Sequence, residues 1–174
     1  MPCSTTESRL LYGVGTSLVT GRPDAALDGV YKLVHAGGRP RIKLSETVSK
    51  ITIPHRKQVF RLADGDGAWI GADVVAMEGE EDVTSMHHPF DPLKSMPIGK
   101  CRKEAVLETV MENGVRTTDR RSIAQIAAFA RERLAMLPPE FKRFENPHIY
   151  KVGLSGGLNR QRNELIEAHR KAWS

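Results

Sequence analysis

GVYKLVHAGGRPRIKLSETVSKITIPHRKQVFRLADGDGAWIGADVVAM (29–77) breaks short β-branched runs with tight turns and holds no helical period. Gly29–His35 and Pro40–Leu44 read as strands. Between them Ala36-Gly37-Gly38-Arg39 signals a hairpin, because adjacent glycines accept the positive φ values of a two-residue turn. Lys57–Leu62 sets Lys57, Val59 and Arg61 against Gln58, Phe60 and Leu62, the period-2 mark of a strand with unlike faces. Asp64-Gly65-Asp66-Gly67 is a turn, and Ala68–Met77 supplies the next strand. Four or five strands thus follow one another without a long helix. That order predicts an antiparallel sheet rather than βαβ units.

Downstream, residues 78–103 combine an acidic run (Glu78, Glu80, Glu81, Asp82), Pro89, Pro92 and Pro97, and a basic cluster at 100–103. The segment reads as a mobile loop crossing the sheet. Ala105–Met111 resumes strand character, and Glu112-Asn113-Gly114 is a type I′ turn signal. Two helices follow. Ile123, Ile126, Ala127, Ala130, Leu134 and Leu137 form one apolar stripe, opened by a capping box of Ser122 and Gln125 and stopped by Pro138-Pro139. The last helix takes Ser155 as N-cap, with Leu158, Arg162, Leu165, Ile166 and His169 along one side. The expected class is α+β: an antiparallel sheet or sandwich-like layer with two or three C-terminal helices. Residues 29–118 form the β region, with its loop at 78–103, and 119–174 the helical tail.

Composition narrows the function. At 174 residues with 40% hydrophobic and 27% charged side chains, the chain suits one soluble domain with a core. No apolar run reaches membrane-spanning length, and MPCSTTESRL lacks the basic and apolar regions of a secretion signal. The expected compartment is the cytoplasm. Cys3 and Cys101 provide neither a disulfide framework nor a metal spacing. The formal charge is +5, with basic clusters at 39–43, 100–103 and in the final helix. Few aromatics interleave with these clusters, so no base-stacking platform is visible and nucleic acid is not the expected partner. A solvated surface, or a field that attracts an anionic substrate, accounts for the charge. A basic nucleic-acid-binding β module would be exposed by steep salt dependence.

Upstream lies YGVGTSLVTG (12–21). Gly13-Val14-Gly15-Thr16 presents backbone N–H groups without an obstructing Cβ, and Thr16 adds a hydroxyl donor, so this turn can close around an anion. It is no Walker A sequence, and by itself it reads more plainly as a pair of turn glycines.

In combination these segments resemble the C-terminal part of nicotinate phosphoribosyltransferases. In that family a GVGT-type turn precedes ALGGVYKL, a KLS strand and a PG-x-KQV-x-R strand. This chain reads AALDGVYKL (25–33), KLS (43–45) and PHRKQVFR (54–61), then HHPFDP (87–92), RFENPH (143–148) and YKVGLS (150–155), in the family's order. The matches run from about Leu11 to about Ile166. Two departures fall at turns: Asp28 and His55 stand where the family has glycine. The family's enzymes are far longer, with the catalytic histidine and most groups that hold the pyrophosphoryl ribose upstream of the GVGT turn. The resemblance therefore implies a C-terminal portion in which residues 1–28 are the end of a type II phosphoribosyltransferase α/β barrel.

It further implies that Gly13, Gly15 and Thr16 help hold the 5′-phosphate of phosphoribosyl pyrophosphate. Lys43, Ser45, Lys57 and Arg61 are candidate contacts to an anionic substrate or to a neighbouring subunit's site; a polar outer sheet face is the plainer reading. His87, His88 and Asp91 lack a fourth ligand and a helical i, i+4 pair, so no metal site is assigned. His148 reads as a loop side chain that locks the tail. His35, His55 and His169 join no Ser or Cys nucleophile. The implied parent activity condenses nicotinate with phosphoribosyl pyrophosphate to nicotinate mononucleotide and pyrophosphate, on the route to NAD. ATP drives it through a phosphorylated histidine, and Mg²⁺ accompanies the pyrophosphate. This chain alone is expected to be inactive, to bind neither cofactor, and to work as a homo-oligomer or with a complementing N-terminal portion. The alternative is a non-catalytic interaction or phosphate-ligand-binding module derived from that enzyme.

Overall fold

The computed structural model describes residues 29–173, so the GVGT turn and the expected barrel remnant lie outside the described residues. The chain divides after Lys32, and the fold below belongs to the unit Leu33–Ser174. A small hairpin comes first: β1 (His35–Ala36) pairs with β2 (Arg39–Pro40) around Gly37 and Gly38, both at positive φ. The turn forms where the paired glycines place it. The strands are only two residues each, however, and the longer runs expected at 29–35 and 40–44 are otherwise irregular.

The main sheet has six strands. They are β3 (Lys57–Ala63), β4 (Trp69–Met77), β5 (Ser85–His87), β6 (Ser95–Pro97), β7 (Arg102–Ala105) and β10 (Lys151–Ser155), in the spatial order β6-β5-β10-β4-β3-β7. Two further strands, β8 (Met111–Glu112) and β9 (Val115–Arg116), form a separate hairpin whose Asn113 and Gly114 carry the positive φ values of its turn.

Four expectations change here. The sheet is mixed, because β10 enters between β4 and β5 and runs parallel to β4. Parallel pairing needs a long crossover, and residues 78–150 provide one that no local pattern reveals. Strand β10 also comes from the segment expected to be a helical tail, so the sheet joins 29–118 to 119–174. Residues 78–103 are no free loop: β5 and β6 form a hairpin there and β7 begins at Arg102. The strand expected at 105–111 lies earlier, at 102–105.

Alternation along β3 and β4 sends Phe60, Leu62, Ala72, Val74 and Ala76 to one face. There Leu62, Ala72, Val74 and Ala76 join Val83, Met86 and Ile98 in the buried apolar cluster. Between Arg61 and Ala63 the β3–β4 register shifts, since Arg61 faces Asp73 but Ala63 faces Trp69. Gly71, at φ +69, takes up the extra length in β4 as a bulge glycine does. A Cβ there would also run into the ring of Phe141.

Two α-helices complete the described chain. Helix α1 (Ile123–Met136) opens on the capping box of Ser122 and Gln125, with both reciprocal bonds formed. It ends at Leu137 before the two prolines. Helix α2 (Gly156–Trp173) packs on β4, β5 and β10. The Leu158 N–H donates to Ser155 Oγ at 3.1 Å, which is the N-cap contact, and Leu158 and Arg162 are buried.

Candidate functional site

Gly13, Gly15 and Thr16 lie outside the described residues; among those described, Lys43, Ser45, Lys57 and Arg61 do not converge on one site. Lys43 and Ser45 lie off the sheet, before β3. Lys43 is exposed, and its backbone pairs with Thr52 through the Thr52 hydroxyl and N–H. Ser45 Oγ accepts the Thr47 N–H. Lys57 turns its ammonium back onto the carbonyls of Ile53, Pro54 and His55, at 2.9, 3.2 and 2.6 Å. Burial lowers its pKa. This cage holds the turn at His55, which adopts φ 72 where the family pattern has glycine. His55 Nε2 is buried without a hydrogen-bond partner among the described residues. Among the described residues, no hydrogen bond or ion pair joins Lys43 or Ser45 to Lys57 or Arg61.

Arg61 is the centre of the best-built polar cluster. It grips Asp73 with two bonds, Nε to Oδ1 at 3.1 Å and Nη2 to Oδ2 at 3.2 Å. The bonds to Asp73 raise the guanidinium pKa. Its plane lies 4.5 Å from the centre of the Trp69 ring, a cation–π stack. Tyr150 donates its hydroxyl to Asp73 Oδ1 at 2.7 Å. Burial, and then that bond, push the Tyr150 pKa up to about 12. Phe141 packs edge-on against Tyr150 and His148, and Arg133 lies over Trp69 while pairing with Glu104 at 2.7 Å. The His148 N–H bonds the Glu140 carbonyl. The cluster therefore ties β3, β4, the end of α1 and the segment before β10 together. Its charges are mutually satisfied, so it positions the fold and leaves no free cation for a ligand.

A second cluster sits at the start of α2. The Glu80 carboxylate accepts from Ser155 Oγ at 2.6 Å, the Met77 N–H at 3.0 Å and the Gly157 N–H at 3.2 Å. A helix N-terminus welcomes an anion, and here the protein supplies its own. Gly157 has no room for a Cβ beside Glu80. Ser85 Oγ lies 3.1 Å from His87 Nε2 at the edge of the same cleft, of about 820 Å³. In the neighbouring HHPFDP turn, His88 Nδ1 accepts the N–H groups of Phe90 and Asp91, and Arg162 Nη1 donates to the Pro89 carbonyl at 2.7 Å. His88 thus spends a ring nitrogen on its own backbone. Among the described residues no group of three or more His, Cys, Asp or Glu could hold a metal ion. Among them, no helix is long and apolar enough to cross a membrane.

Comparison with known proteins decides the lineage. Residues 56–162 match the model of the nicotinate phosphoribosyltransferase C-terminal domain. The chain belongs to the nicotinate phosphoribosyltransferase family. It is 35% identical over 152 residues to the nicotinate phosphoribosyltransferase of Bos taurus, covering 85% of this chain and 28% of that protein. Against the Homo sapiens enzyme the identity is 34% over 161 residues, covering 89% and 29% respectively. The crystal structure of human nicotinic acid phosphoribosyltransferase superposes with a TM-score of 0.58 at 26% identity, over 79% of this chain and 26% of that one. The chain thus spans less than a third of the relatives it matches, and the part it matches is their C-terminal portion.

Asp73 and Tyr150 went unremarked in the sequence as a pair. Asp73 does carry a signal: it is the lone charge in Ala68–Met77, a strand otherwise free of ionisable groups. Tyr150, far along the chain, gives no local hint that it is Asp73's partner. Glu80 belongs to the acidic run of a segment that reads as a loop, and only the fold reveals that its carboxylate sits at the start of α2.

Proposed function

We propose that this chain is the C-terminal part of a nicotinate phosphoribosyltransferase that acts only together with an upstream catalytic portion. The parent reaction joins nicotinate to phosphoribosyl pyrophosphate, at the expense of ATP, giving nicotinate mononucleotide for NAD synthesis. The observation that carries this reading is the domain match at 56–162, in a chain covering under a third of each relative. The chemistry demands neutralisation of a leaving pyrophosphate and of an oxocarbenium-like ribose. Among the described candidates, Arg61 and Lys57 are occupied by Asp73 and by backbone carbonyls. The groups that bind ATP and Mg²⁺ are assigned to the upstream portion.

On this reading Gly13, Gly15 and Thr16 contribute donors to the 5′-phosphate when the upstream portion is present. Lys43 and Ser45 remain available to an anionic substrate or a neighbouring subunit, and Lys57 and Arg61 position β3. The assembly is a homo-oligomer or a two-chain complex working in the cytoplasm. The alternative, a non-catalytic module that binds a partner, draws support from the exposed apolar side chains of α1.

The test is nicotinate mononucleotide formation by the purified chain, alone and co-expressed with the upstream portion of the cattle relative. Silence alone and product from the co-expressed pair are expected. Turnover by the 174-residue chain alone would overturn the division of labour. A complex that forms but makes no product would favour the non-catalytic module.

A further inference from the structure

Helix α1 has the pattern of a buried helix and the exposure of a surface one. Its capping box is complete and its apolar stripe continuous, yet none of its residues is buried. On the stripe Ile123 is 86% exposed and Ile126 53%, while Phe129, on another face, lies under Arg121 and Arg133. Leu134 continues the stripe at 58% exposed, and Val110 and Arg116 of the β8–β9 region line one cleft with Ile126. An isolated helix of this length is marginal in water, and in proteins such stripes are stabilised by packing. An apolar patch of this kind, rimmed by polar residues, marks an interaction site.

The rim identifies the partner. Between Val115 and Leu134 the chain carries Arg116, Arg120, Arg121, Arg131 and Arg133 against only Asp119 and Glu132. Glu104 already neutralises Arg133 at the far end. A second copy packed antiparallel on α1 would bring Arg120 and Arg121 of one chain beside Arg131 of the other, setting like charges together. The surface instead fits an apolar patch with an acidic rim. The part of the relatives' length that this chain does not match is the large body of protein available to supply it.

We infer that the exposed stripe of α1, with the β8–β9 hairpin, is the face that docks on the upstream catalytic portion of nicotinate phosphoribosyltransferase. This rests on the reading of the chain as that enzyme's C-terminal part. It adds where the contact lies, and that its arginine rim meets carboxylates.

The test is co-expression of the full chain with the tagged upstream portion of the cattle relative, read as the amount of chain that co-purifies. Ile123→Glu and Ile126→Glu alter exposed positions, and circular dichroism checks their fold. Each should reduce recovery at least tenfold. Leu93→Glu, at a 92% exposed leucine in a different groove, should leave recovery unchanged. Arg120→Glu with Arg121→Glu should also weaken capture, and in the wild-type complex the α1 amides should gain protection from hydrogen exchange. Retention of Ile123→Glu and Ile126→Glu at wild-type levels overturns the inference while leaving the parent reading intact. So does loss of Leu93→Glu alone. Failure of the wild-type chain to co-purify overturns both. A chain that is dimeric by sedimentation and becomes monomeric on Ile126→Glu makes the occupant a second copy, which also refutes the proposal.

Discussion

Removing Arg61 should cost this domain more stability than any other single surface-facing change. Substitution by methionine keeps most of the aliphatic volume over Trp69 but strips Asp73 of both guanidinium bonds, leaving only the Tyr150 hydroxyl. The Asp73 side chain is 13% exposed and that of Arg61 25%. Orphaning one member of a buried pair costs about 3–5 kcal/mol, because the remaining charge is desolvated without compensation. Partial access of water to Arg61 places this pair at the lower end, so about 3 kcal/mol is expected, roughly a hundredfold in the folding equilibrium. Tyr150→Phe leaves both guanidinium bonds in place and should cost only about 1.5 kcal/mol. Urea unfolding of the full chain followed by tryptophan fluorescence is a suitable assay, since Trp69 lies directly under Arg61. The decisive comparison is a double-mutant cycle of Arg61→Met and Asp73→Asn. Once the carboxylate is neutral the arginine has little left to hold, so the double mutant should fall short of the sum by about 2 kcal/mol. A loss under about 1 kcal/mol for Arg61→Met, or additivity within about 0.5 kcal/mol, would refute the assignment of this cluster as the clamp of the sheet.

Tyr150 should titrate well above the ordinary tyrosine range. Its folded pKa of about 12 lies above the ordinary value near 10, so its contribution is complete below pH 10 and is lost as pH rises through 12. Tyrosinate absorbance should show that late step in the wild type and lack it in Tyr150→Phe; the same late step in both proteins, or in neither, would contradict the geometry. Gly71→Ala should destabilise by roughly 2–4 kcal/mol, because alanine must hold positive φ and displace the Phe141 ring. Unchanged thermal stability would show that the bulge relaxes freely. His55→Gly should instead stabilise by up to about 1 kcal/mol: it relieves the left-handed strain at φ 72 and the unpartnered Nε2, offset by glycine's greater chain entropy. A lower urea midpoint for that variant would mean that the imidazole packs usefully where it lies.

Local chemistry was legible in the sequence wherever a short window contains its own cause. The Gly37-Gly38 and Asn113-Gly114 turns, the Ser122–Gln125 capping box, the Ser155 N-cap and the alternation of β3 each need only a few neighbours. What stayed hidden depends on distant partners. Strand β10 is five residues long, and its place between β4 and β5 follows from pairing across the whole crossover. Strands β5 and β6 hide among prolines and charges, because three-residue strands give alternation too little room to register. The candidate contacts were read as outward-facing from residue type alone. Arg61 and Lys57 prove to spend their charge inward, on Asp73 and on the carbonyls before β3.

The place of β10 also bears on how the molecule is made. Without residues 151–155, β4 and β5 would each be left with one unpaired edge. The sheet would then be two halves, β3, β4 and β7 on one side and β5 and β6 on the other, joined only by this late strand. Open edges of this kind recruit strands from other chains. Synthesis of this domain should lean on chaperones that shield edges, and a stop codon before Lys151 should yield aggregate rather than a shorter soluble domain.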